Sequence, residues 1–79
     1  MKQNKFNDLP LDEKVLIISE YAKFLLTVEI IGYRMHLYSL NHNYVEVRHS
    51  LLSREVETIS IIGYKELDKY LNRISLNYN

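Results

Sequence analysis

Tyr33-Arg34-Met35-His36-Leu37-Tyr38-Ser39-Leu40-Asn41-His42-Asn43-Tyr44-Val45-Glu46-Val47-Arg48-His49-Ser50-Leu51 is the stretch on which the fold turns. Two runs rich in β-branched, aromatic and leucine residues flank Asn41-His42-Asn43, three short polar residues that accept turn dihedrals. The stretch therefore reads as one β-hairpin. Pairing Leu40 with Tyr44 sets a register, and strand side chains alternate between faces. In that register Met35, Leu37, Val45 and Val47 share a face with Tyr33, Ser39, His49 and Leu51. Arg34, His36, Tyr38, Tyr44, Glu46 and Arg48 share the other. The expected sheet has one apolar face and one polar-aromatic face.

Before the hairpin, Asp8-Leu9-Pro10-Leu11-Asp12 reads as a helix entry, with Asp8 or Asp12 as the cap. From Asp12 to about Thr27 apolar residues recur at helical spacing. Leu11, Val15, Ile18, Ala22 and Leu25 form one stripe, and Ile17, Tyr21 and Phe24 an adjacent one. On a helical wheel they cover an arc of roughly 200°, wider than a surface helix needs. Val28, Ile30 and Ile31 favour extended structure, and Gly32 bends the chain into the first strand.

After the hairpin, Leu52-Ser53-Arg54-Glu55 is a short polar connection, and Val56 to Ile62 is a third strand. A β-bulge near Glu57-Thr58 puts Val56, Ile59 and Ile61 on one face. Gly63 breaks the strand. Tyr64 to Ser75 returns to helical spacing, with Leu67, Tyr70, Leu71 and Ile74 on one side, and Leu76 packs as the chain leaves the helix. The order is α-β-β-β-α. Strands joined by short loops pair antiparallel. The expected fold is a two-layer α+β domain, a three-stranded antiparallel meander with two helices on one face.

Seventy-nine residues make one small domain, 1–79, with 1–7 and 77–79 expected to be loose ends. Ten basic and ten acidic residues cancel, which gives no electrostatic footprint for duplex nucleic acid or an anionic membrane. Neutrality also leaves self-association unopposed. There is no cysteine, hence no disulfide and no thiolate chemistry. No apolar run reaches the roughly 20 residues that span a bilayer. No signal-peptide pattern follows Met1-Lys2-Gln3-Asn4-Lys5, and a cytoplasmic home is the expectation.

Gly32-Tyr33-Arg34-Met35-His36-Leu37-Tyr38-Ser39-Leu40-Asn41, Tyr44-Val45-Glu46-Val47 and Leu67-Asp68-Lys69-Tyr70-Leu71 resemble a group of small uncharacterised bacterial proteins. The shared features are a leucine-tyrosine strand, an asparagine turn, an aromatic-Val-Glu-Val strand and a short terminal helix. The likeness covers residues 28–76. This chain has His49-Ser50-Leu51 where that group carries aromatic-Asp-Pro-like turn residues. The group implies no activity.

Candidate chemistry is sparse. His36 and His49 are expected on opposite faces with His42 at the turn tip, so no metal ligand set converges, and no cofactor is expected. There is no Gly-rich phosphate loop, no H-E-x-x-H and no G-x-S-x-G. Glu46 shares its expected face with Arg48, which favours a surface charge pair over a catalytic acid. No catalytic residue is assigned, and the chain is not expected to be an enzyme.

Two surfaces remain as candidate contacts. Arg34, His36, Tyr38, Tyr44, Glu46 and Arg48 on the polar sheet face carry residue types enriched in protein interfaces. Aromatics with guanidiniums also suit single-stranded RNA. An open antiparallel sheet equally leaves such a face in water. Leu16, Ile17, Tyr21 and Phe24 on the first helix exceed what one small sheet covers and suggest a homodimer contact. The alternative cover for them is the segment Val28 to Ile31. The expected function is a small non-catalytic protein-interaction module, homodimeric and outside the membrane. The alternative is single-stranded RNA or other nucleic-acid binding through the Tyr/Arg face.

Overall fold

The computed structural model describes the backbone of residues 3–75 and the side chains of residues 5–71. Two helices, α1 (Gln3–Asn7) and α2 (Leu11–Tyr21), lead into four strands. These are β1 (Lys23–Ile30), β2 (Tyr33–Leu40), β3 (Asn43–Ser50) and β4 (Val56–Ile62). A 3-10 turn at Tyr64–Leu67 then feeds α3 (Asp68–Ser75). The strands form one antiparallel sheet in sequential order, β1-β2-β3-β4. The fold is α+β, with four strands rather than the three expected.

The extra strand comes from the segment expected to continue the first helix to Thr27. The helix stops at Tyr21, and Ala22 is already extended. Phe24, Thr27, Val28 and Ile30 are strand formers, and two residues, Ile31 and Gly32, suffice to fold them back on β2 with Ile30 opposite Tyr33. Gly32 has φ +85°, a conformation that costs glycine nothing. A bulge at Leu25 breaks the register between Phe24 and Leu26. The wide apolar arc read as one helix is thus a helix followed by a strand. No side chain caps α2: Pro10 occupies the N-cap, and Asp12 Oδ1 accepts only the adjacent Glu13 N–H at 3.0 Å.

The central hairpin is one residue out of the expected register. Leu40 pairs with Asn43, not Tyr44, so the loop is Asn41-His42 alone. Asn41 takes φ 56°, which the first central position of a two-residue hairpin turn allows and asparagine tolerates. The one-residue slip re-sorts the whole sheet. His36 lies opposite Val47, Leu37 opposite Glu46, Tyr38 opposite Val45 and Met35 opposite Arg48. Met35 and Leu37 therefore point away from Val45 and Val47.

Both faces are covered, and this is the physical reason for the difference. Leu40, Val45, Val47, Ile59 and Ile61 pack with Phe6 of α1 and Ile18 of α2. On the other face Val28, Met35 and Leu37 pack with Tyr70 of α3. The helices thus sit on opposite sides of the sheet rather than together. The bulge expected near Glu57-Thr58 is present: Arg48 pairs with Thr58 and His49 with Val56. Val56, Ile59 and Ile61 accordingly meet the same cluster.

Residues 3–7, part of the segment expected to be loose, form α1, and Phe6 is fully buried there. Tyr70 is buried as expected and Leu67 packs beside it, whereas Leu71 is exposed. The side chain of Ile74 and residues 1, 2 and 76–79, with the expectations for Leu76 and the tail, lie outside the described residues.

Candidate functional site

The face under α1 and α2 is covered unevenly. α2 spans eleven residues and overlies β4 and the centre of the sheet, leaving the β1–β2 end open. An apolar groove of about 360 Å³ runs along this boundary. Val15 and Ile18 form its helix wall, with Ala22 just past the helix end, Val47 and Ile59 its floor, and Phe24 with Tyr38 its outer rim. The Phe24 and Tyr38 rings meet edge to face with centroids 5.6 Å apart. Such pairs add to their area burial, so the rim is preformed.

Beyond the rim the same face is polar. Thr27 Oγ1 and His36 Nδ1 are hydrogen-bonded at 2.7 Å. The His36 and His49 rings lie with centroids 6.0 Å apart at an interplanar angle of 30°. Arg34 pairs with Glu29 at 3.3 Å. Burial lowers the His36 pKa below the usual histidine range, and the neighbouring His49 and Arg34 push in the same direction.

The structure divides the six residues expected on one partner-binding face. Arg34, His36 and Tyr38 lie on the α2 side. Tyr44, Glu46 and Arg48 lie on the α3 side, where Tyr44 packs against the Val28–Met35–Leu37 cluster. Glu46 does not pair with Arg48. It accepts the Tyr70 hydroxyl at 2.8 Å and is bridged by Lys69. Arg48 instead pairs with Glu57 at 3.4 Å and lies over the Tyr33 ring at 5.1 Å. Tyr38 and Tyr44 point to opposite sides, so the Tyr/Arg stacking platform is not assembled as one surface.

Two of the histidines, His36 and His49, do share a face, contrary to the expected opposition. The slipped register explains it: His49 lies opposite Arg34 and sits diagonally across from His36. Among the described residues no group of three or more His, Cys, Asp or Glu side chains is placed to hold a metal ion. No helix among them is long and apolar enough to cross a membrane.

The four residues expected at a dimer contact also separate. Ile17 packs against the core. Leu16, Tyr21 and Phe24 are exposed by 62%, 76% and 52%, and Phe24 lines the groove whereas Leu16 and Tyr21 do not. Phe24 belongs to β1 rather than to the helix. The groove and the His36–His49 pair had no sequence signal, because both depend on the true register.

Comparison with family models, with curated proteins and with solved structures returned no match. The functional reading therefore rests on this chain's own geometry.

Proposed function

We propose that the protein is a small non-catalytic interaction module that works as a homodimer. The observation that supports this most directly is the apolar groove between α2 and the open end of the sheet, with Val15 and Phe24 exposed along it. Large apolar side chains grouped around a concave apolar surface mark interaction sites more often than solitary ones do. The balanced charge of the chain puts no electrostatic barrier in the way of a second copy. A small domain gains buried area by associating, and this one has little core to spare.

The test is the mass in solution. Light scattering and sedimentation from micromolar concentration upward should report a dimer. Phe24→Ser removes the groove's outer rim and should shift the equilibrium toward monomer while the circular-dichroism spectrum stays native. A wild type that remains monomeric at all concentrations would reject the reading.

A further inference from the structure

The two edges of the sheet are treated differently by the chain itself. In antiparallel ladders alternate residues turn their N–H and C=O toward the neighbouring strand, and the others turn them outward. On β4 the outward residues are Ile59 and Ile61, and both are sealed from within. Lys14 Nζ of α2 donates to the Ile59 carbonyl at 2.7 Å. Asn7 of α1 accepts the Ile61 N–H at 2.8 Å and donates to its carbonyl at 3.5 Å. An exposed strand edge templates pairing with another chain, and covering it is a standard defence.

Among the described residues the opposite edge has no such cover. The hairpin closing at Ile30–Tyr33 directs the backbone of Ile30, Val28 and Leu26 toward β2. Thr27 and Glu29 therefore turn theirs outward, and among the described residues no hydrogen bond reaches those groups. β1 carries no proline, and its bulge is confined to Leu25. Leu26 to Ile30 is a regular, open edge.

We propose that β1 is the strand through which two copies join, antiparallel and edge to edge, into one continuous eight-stranded sheet. This rests on the dimer reading above and names its contact. The occupant is a second copy because the edge complements itself. Antiparallel pairing about a two-fold normal to the sheet keeps Leu26, Val28 and Ile30 of both copies on one face and Thr27 and Glu29 of both on the other. Leu26, Val28 and Ile30 of each copy then continue the apolar layer beneath α3. Tyr21 and Phe24, exposed where α2 enters β1, flank the join. Glu29 directly opposite its own copy is the disfavoured register. Pairing centred on Thr27 or on Val28 avoids it, placing Glu29 opposite Leu25 or Thr27 of the second copy.

Thr27→Pro removes an outward N–H and obstructs an incoming strand while leaving the ladder to β2 intact. Thr27→Val is its control, since it loses the hydroxyl that meets His36 but keeps the N–H. The dimer dissociation constant measured by sedimentation should rise at least 100-fold in Thr27→Pro and stay within a few-fold in Thr27→Val. A second measurement does not depend on the proline variant folding. The chain has no cysteine, so Thr27→Cys and Val28→Cys are single-thiol variants, each placing its thiol opposite its own copy in one of the two registers. At least one should form a disulfide-linked dimer under mild oxidation, and Thr58→Cys on β4 should not. A dimeric wild type in which no β1 cysteine cross-links and folded Thr27→Pro still associates overturns this proposal alone. A monomeric wild type overturns it together with the reading it rests on.

Discussion

The hydroxyl of Tyr70 donates a 2.8 Å hydrogen bond to Oε2 of Glu46, joining α3 to the centre of the sheet. Lys69 bridges the same carboxylate, and the Tyr70 side chain is buried against Val28, Met35 and Leu37. One polar contact thus fixes where the last helix lies, and it explains a carboxylate in the middle of β3. Tyr70→Phe keeps the packing and loses the bond to a charged acceptor, which should cost about 1–3 kcal/mol by urea denaturation at neutral pH.

The same contact has a pH signature. Burial, with the bond to Glu46 and its charge, raises the Tyr70 pKa far above its ordinary value near 10. The folded state then holds the proton more tightly than the unfolded state. Stability is fully present below about pH 10, where an unfolded tyrosine begins to ionise, and falls as pH rises above it. Wild type should lose stability more steeply than Tyr70→Phe between neutral pH and pH 11. Parallel slopes would show that Tyr70 is not held as described.

A sheet covered on both faces has two separate sets of core residues. Leu40 packs under α1 and α2, and Leu37 under α3. Leu40→Ala and Leu37→Ala should each cost roughly 2–5 kcal/mol. Because they empty different clusters, their costs should add within about 0.5 kcal/mol in the double variant. A near-zero cost for Leu40→Ala would mean that its face is open and the register is the one expected from sequence.

The central turn gives an independent check of that register. Asn41 holds the positive φ, and Asn43 begins β3. Asn41→Val should cost on the order of 1 kcal/mol, since a β-branched residue tolerates the left-handed region poorly. Asn43→Val should be neutral within about 0.5 kcal/mol, because position 43 is a strand position. The reverse ordering in thermal melts would restore a three-residue loop.

Much of the architecture is legible in the sequence. The hairpin, the third of its strands with the bulge beside Glu57, and the last helix with Tyr70 inward all follow from residue pattern. Register did not follow, and the reason is physical. A single buried face forces one register, because a slip would exchange core and solvent sides. Here Met35 and Leu37 are apolar for one layer, and Val45 and Val47 for the other. Either register therefore buries apolar side chains, and only the turn geometry at Asn41 decides. β1 was obscured similarly: Phe24 and Leu25 fit helical spacing as well as a bulged strand. The candidate site inherited both uncertainties, since the groove needs Phe24 on a strand and Tyr38 beside Val47.

The His36–His49 pair offers a titration that tests the site's geometry directly. The His36 pKa is lowered first by burial, then by His49 and Arg34. The unfolded state therefore binds this proton more readily than the folded state. Its contribution to stability is complete above about pH 6.5 and is lost as pH falls through the lower folded value. His49→Gln removes one repelling charge and keeps a side chain of similar reach. By proton NMR the His36 ring should then titrate at higher pH than in wild type, yet still below the ordinary histidine range because its burial remains. The acid limb of the stability curve should move the opposite way from a general loss of packing: His49→Gln should soften the decline below pH 6.5. An unchanged His36 titration would place the two rings on separate faces and return the hairpin to the register that its sequence pattern suggests.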